Sequence, residues 1–149
     1  MKLSKKGKEL IAGFEGLRTK PYLCSAKVAT IGIGSTRYED GRKVSMSDEP
    51  ICTERAYELF EITVKGYENA VNKYAKIALN QNQFDALVSL CYNIGVGGYS
   101  KSTVVRYSNA DASGIEIQKA FLMWNKVKGK VSNGLTRRRV MESSLYNEK

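Results

Sequence analysis

The chain has 149 residues, 42% of them apolar and 26% charged, with 13 glycines and two prolines, which suits one folded domain and excludes disordered or fibrous architectures. It carries 24 Lys and Arg against 15 Asp and Glu, for a net charge of +9, and contains no histidine. Without imidazole there is no Ser-His or Cys-His nucleophile and no histidine zinc site. Three cysteines without C-x-x-C spacing argue against a disulfide scaffold or a metal knuckle, and for a reducing compartment.

Charge is segregated along the chain. Residues 39–68 hold eight acids and four bases, leaving 20 bases against seven acids elsewhere. The densest basic stretch, 126–139, carries Lys126, Lys128, Lys130 and Arg137 to Arg139 with no acid. Such a surface favours a polyanionic partner, be it nucleic acid, an anionic membrane or an acidic wall polymer, and the attraction weakens with salt. No apolar run reaches a membrane span, and the opening MKLSKKGK contains no signal-peptide core, so export by the N-terminus is not expected.

In chain order, residues 4–14 read as a short helix capped by Ser4, with Leu10, Ile11, Phe14 and Leu17 on one stripe. Gly13 and Gly16 bracket Phe14-Glu15, which places Glu15 where helix gives way to loop. From Pro21 to Val44, β-branched residues alternate with small ones and turns fall at Ser25-Ala26 and Asp40-Gly41, predicting a small antiparallel sheet of two or three strands. A long helix follows over 54–75, capped by Thr53 and carrying Ala56, Phe60, Val64, Tyr67, Val71 and Tyr74. Asn80 and Gln83 have capping-box spacing before a helix that ends at Gly95, with VGGY as a connection. Shorter helices are expected near 101–109, 112–124 and 136–146. The fold class is α+β, with a β element inserted into a helical domain.

Two glycine-rich pieces carry no phosphate chemistry. T-I-G-I-G-S-T lacks the third glycine of a dinucleotide fingerprint, and Gly95-Val96-Gly97-Gly98 follows a helix and lacks the Gly-Lys-Ser/Thr ending. Both read as turns and close packing. No helix-turn-helix or RNA-binding strand motif occurs, so specific nucleic-acid binding is not expected. Three consecutive arginines cannot share one helix face, so at least one of Arg137 to Arg139 should turn away from the others' partner. An acid flanked by glycines and apolar side chains (AGFEGL) suits a solvent-facing helix poorly; as a purely structural residue it would be a cap or half of an ion pair.

The residues after Glu15 give it a second meaning. Glu15, eight residues, Cys24, five residues, then Thr30-Ile31-Gly32-Ile33-Gly34 resembles the catalytic signature of tailed-bacteriophage lysozymes. The likeness continues in family order through Asn80 to Leu90, Asn93-Ile94-Gly95, Ser102-Thr103-Val104, Ala120 to Trp124 and Gly134 to Glu142. It implies a lysozyme-like fold: a β lobe about 18–46, a connecting helix about 54–75, and a helical lobe about 80–149 that includes helix 4–14. It also implies a muramidase cleaving the β-1,4 bond between N-acetylmuramic acid and N-acetylglucosamine in peptidoglycan, without metal or cofactor.

In that scheme a proton must reach the leaving oxygen as oxocarbenium character develops. Glu15 is the only acid between Glu9 and Glu39, hence the expected donor. The resemblance implies that an arginine of the last helix orients it, Arg138 by alignment and Arg137 as the alternative. Cys24 departs from the aspartate of many relatives; it would help Thr30 hold water, act as a minority thiolate base, or form a sulfur adduct. The family's sugar contacts align with Thr36, Tyr92, Ser102 and Gln118. The expected protein is a monomer acting on peptidoglycan, held in the bacterial cytoplasm until a phage holin, with no direct contact, opens the membrane. The competing reading is a basic wall- or nucleic-acid-binding module on a lysozyme-like fold.

Overall fold

The computed structural model describes residues 1–149. It contains helices α1 (Lys5–Glu15), α2 (Thr53–Tyr74), α3 (Gln81–Ile94), α4 (Val96–Ser100), α5 (Thr103–Asn109), α6 (Gly114–Leu122) and α7 (Asn133–Asn147). The strands are β1 (Arg18–Leu23) with β2 (Ala29–Gly32), and β3 (Lys126–Val127) with β4 (Lys130–Val131), each pair antiparallel. Two compact units are formed, one from Glu9–Gly66 and the other from Met1–Lys8 with Tyr67–Lys149; α1 and α2 run from one into the other. The α+β class expected from the sequence is the one observed.

The smaller unit is built on a bulged sheet. Tyr22 pairs with Thr30 and Leu23 with Ala29, but Arg18 pairs with Gly32, so the register shifts in between. Pro21 lies in the shifted stretch, where its missing N–H interrupts no ladder bond. Ile31 and Ile33 are fully buried, and Ile31, Val44 and Leu59 form a core. Gly32 holds a left-handed φ of +67°, and a Cβ there would lie 3.2 Å from Ala56 Cβ, so the T-I-G-I-G segment is read correctly as close packing against α2. The Ile51 N–H is tied to the Thr19 carbonyl at 2.8 Å, which keeps the chain extended up to α2. Cys52, rather than Thr53, therefore takes the capping position, its carbonyl accepting the Ala56 N–H at 3.0 Å.

The larger unit is helical. The Asn80–Gln83 capping box opens α3, which buries Phe84 through Cys91 and packs on α7. Helix α7 also packs on α6, and α6 on α5. VGGY, expected as a connection, is the helix α4, because Tyr99 is buried and Gly98 admits the Trp124 ring to 3.2 Å of where a Cβ would stand. Helix α7 starts at Asn133, earlier than expected, with the Ser132 hydroxyl accepting the Leu135 N–H at 3.2 Å. The hairpin β3–β4 was not legible in advance; its strands are two residues long, below the length at which alternation shows.

The N-terminal segment is held by buried carboxylates of this unit. Glu68 accepts the Leu3 N–H at 2.7 Å. Asp85, fully buried, accepts the Ser4 N–H at 3.1 Å, the Ser4 hydroxyl, and the Gln81 amide at 2.8 Å. Ser4 in turn caps α1 by accepting the Gly7 N–H at 3.0 Å.

Candidate active site

Glu15 is the last residue of α1 and is half-buried, as are Phe14 and Leu17 beside it. The helix closes with the Gly16 N–H on the Ala12 carbonyl at 2.9 Å, and Gly16 then takes a φ of +77°, a conformation that favours glycine. Local sequence thus ends the helix at the acid, as AGFEGL predicted.

Cys24 stands where the chain leaves β1 and turns back into β2. Its N–H donates to the Val28 carbonyl at 3.1 Å, and its carbonyl accepts the Lys27 N–H at 2.8 Å. This tight reversal aims donors at the sulfur. The Val28 N–H first, then the Ala26 N–H and the Thr30 hydroxyl, hold the thiol below the ordinary cysteine range. Thr30 is buried, and its one hydroxyl proton is shared between the sulfur and the Val28 carbonyl, 2.9 Å away. Cys24 and Thr30, six residues apart, are therefore brought together by the turn.

Tyr22 joins them, a residue that sequence reasoning missed. Burial pushes its phenol up from the usual tyrosine range; the Arg18 charge opposes this, while Glu15 and Cys24 add to it. The Arg18 guanidinium lies 4.5 Å from the Tyr22 ring centre. Tyr22 thus feels both the acid and the thiol. The signal was present, since Tyr22 and Cys24 are two apart in an extended chain and share a face. Thr36, the other predicted residue of this unit, is exposed.

The remaining predicted residues belong to the helical unit. Arg138 is 6% exposed; its Nε donates to Glu142 Oε2 at 3.2 Å and a terminal nitrogen donates to the Ser89 carbonyl at 3.0 Å. Arg139, fully buried, donates to Glu142, to Asn93 Oδ1 and, at 2.8 Å, to the Trp124 carbonyl. Burial lowers the Arg139 guanidinium from its ordinary range, and Glu142 opposes that. Arg137 is exposed, so the triplet divides as helix geometry requires. Glu142 is the second residue that sequence reasoning left without a role; its spacing of four from Arg138 and three from Arg139 was the available clue.

Tyr92 is half-buried on α3, its ring 4.9 Å from that of Tyr67. Ser102 is buried and caps α5, accepting the Val105 N–H at 3.2 Å and donating to the Tyr99 carbonyl at 2.7 Å. Gln118 is exposed on α6.

An acid thus ends a helix, a hydroxyl-supported thiol lies on a bulged hairpin, and an arginine pair is buried in the C-terminal helix. Residues 12–142 match the family model described as phage lysozyme, and the chain belongs to that family. Its relatives include the endolysin of Bacillus phage B103, 42% identical over 98% of this chain and 54% of that protein. The chain spans about half the length of the Bacillus phage endolysins it matches, 55% for that of phage PZA. Among solved structures, an endolysin from Escherichia coli O157:H7 phage FAHEc1 superposes with a TM-score of 0.90 at 41% identity, covering 99% of this chain and 94% of that one. A mutant of P22 lysozyme superposes at 0.89 with 36% identity, covering 99% of both chains.

Proposed function

We propose that this protein is a muramidase that hydrolyses the β-1,4 bond between N-acetylmuramic acid and N-acetylglucosamine in peptidoglycan. The observation that carries the reading is Glu15 at the end of α1 with Cys24 and Thr30 clustered on the adjoining hairpin, all within one unit of a phage lysozyme family member. Residues 1–149 act as one module in this reading.

Glu15 gives its proton to the glycosidic oxygen as the bond to the anomeric carbon breaks. Thr30 and Cys24 hold a water on the other side of the sugar; water adds to the anomeric carbon, and its spare proton passes to the Cys24 thiolate. Solvent then returns a proton to Glu15 and takes one from Cys24. The outcome is inversion at the anomeric centre. A thiolate suits this step because the turn amides favour the charged sulfur.

Arg138 orients Glu15, with Arg137 as the alternative, and Thr36, Tyr92 and Gln118 contact the glycan, while Ser102, aligned with a family sugar contact, supports the site indirectly. The hydroxyl of Ser102 is engaged at both ends, so its contribution is to fix the start of α5. The enzyme acts as a monomer and waits in the host cytoplasm until a holin opens the membrane. No helix is long and apolar enough to cross a membrane.

The test is turbidity clearing of chloroform-treated Gram-negative cells. Glu15→Gln should lose at least about 100-fold in rate, the span of one general acid. Near-wild-type clearing by that variant would end the proposal. Clearing without a DNA gel shift at physiological salt separates the enzyme from a basic binding module, and a faster Cys24→Asp variant would identify the thiol as the weaker base.

A further inference from the structure

The basic stretch 126–139 is divided by the fold into two parts with different fates. Arg138 and Arg139 are buried and both pair with Glu142, so neither guanidinium is displayed on the surface. The lysines are. Lys126, Lys128 and Lys130 lie on the β3–β4 hairpin, all of whose residues from 126 to 131 are exposed. No acid occurs between Glu116 and Glu142 to neutralise them along the chain.

The same hairpin exposes apolar side chains. Val127 is 54% and Val131 61% exposed, and Met123, three residues ahead, is 62% exposed. The register sets Lys126 opposite Val131 and Val127 opposite Lys130, so each face carries one lysine beside one valine. The tip is Lys128-Gly129 with φ of 51° and 80°. A tight hairpin turn of this hand favours Asn or Gly at the first position, and Lys there is costly in backbone terms. Turn geometry does not account for the lysine.

A two-stranded hairpin is marginal alone, yet this one has a firm base. The Ser132 N–H donates to the Asn125 carbonyl at 2.8 Å, the Asn125 amide donates to the Thr136 hydroxyl at 3.2 Å, and the Trp124 carbonyl accepts from Arg139. The buried arginine thus holds the root of the arm that carries the exposed lysines.

We propose that the Lys126–Val131 hairpin docks the protein on an anionic lipid bilayer, with lysines at the phosphate headgroups and valines at the headgroup–acyl boundary. Charge complementarity selects an anionic surface. The valines select lipid over a purely polar polyanion, because only an interface with apolar depth rewards their burial. Interleaving lysine with valine on both faces holds the arm at the interface, since lysine stems reach back to headgroups.

The experiment is sedimentation of the full chain with phosphatidylcholine vesicles containing about one-third phosphatidylglycerol, beside pure phosphatidylcholine, at low salt. Vesicles hold no glycan, so the result is independent of the muramidase reading. Wild type should bind the anionic vesicles only. Replacing Lys126, Lys128 and Lys130 together by Gln should weaken binding by about 100-fold, at roughly fivefold per lysine. Val127→Ser with Val131→Ser, which leaves charge unchanged, should weaken it by about 10-fold. A control removing the same charge at exposed Lys2, Lys65 and Lys101 should cost less than about 3-fold. Equal losses in the hairpin and control triples would overturn the proposal, as would unchanged binding by the valine variant. Thermal unfolding of each variant separates loss of docking from loss of fold.

Discussion

Glu142 is the point on which the buried charge of α7 turns, and Glu142→Gln tests that role. The carboxylate has no exposed surface and faces two guanidinium groups, with Ser89 Oγ donating to Oε2 at 2.5 Å. The substitution keeps shape and one acceptor but removes the carboxylate that both Arg138 and Arg139 pair with. What remains is two cations, 6% and 0% exposed, side by side in a low-dielectric interior. Breaking a buried pair by removing one partner costs roughly 3–5 kcal/mol. For a domain of this size each kcal/mol lowers the melting temperature by about 2–4 °C. The expected fall is therefore roughly 6–20 °C in thermal unfolding followed by helical circular dichroism. Arg137→Gln, on the exposed side of the same turn, should stay within about 0.5 kcal/mol of wild type. A Glu142→Gln loss below about 1 kcal/mol would refute the reasoning, because the two arginines would then be satisfied without their carboxylate.

Other outcomes follow from single contacts. Gly7→Ala should destabilise by about 1–2 kcal/mol in urea unfolding although alanine is the better helix former, because its Cβ would fall 2.6 Å from Asp85 Cγ and 2.8 Å from Leu3 Cδ2. Iodoacetamide at neutral pH should label Cys24 rapidly and Cys91 only on unfolding, since turn amides favour the first thiolate while burial pushes the second thiol up to about 12. Thr30→Val should slow the Cys24 reaction by removing one donor to the sulfur. The raised Cys91 value also sets a pH dependence. Above the unfolded thiol's ordinary range, near 8.5, unfolding releases a proton that the folded state keeps, so stability falls as pH rises from about 9 toward 12. Cys91→Ala should flatten that slope by about one proton, read as the change in urea midpoint between pH 8 and pH 10; an unchanged slope would show that Cys91 does not carry it.

Legibility tracked the range of the interactions. Glu15 could be placed at a helix end because the glycines that stop the helix are its neighbours, and the Asn80–Gln83 cap was readable for the same reason. Cys24 and Thr30 could be paired by spacing, but the amides of Ala26 and Val28 that act on the sulfur depend on the turn's conformation. Tyr22 gained its place in the cluster only when the bulged register set it across from Thr30.

Chain patterning alone determined the division into a β element and helices, the excess of positive charge and the acid at the end of α1. Tertiary structure decided which arginines are buried, where the lysines of the same basic run are displayed, and what holds the N-terminal segment. Those outcomes rest on partners far apart in sequence, such as Ser89 with Arg138 and Ser4 with Asp85. A run of like charges reads the same whether it faces water or a carboxylate. Only the path of the backbone sets the local dielectric and the counter-charge for each side chain.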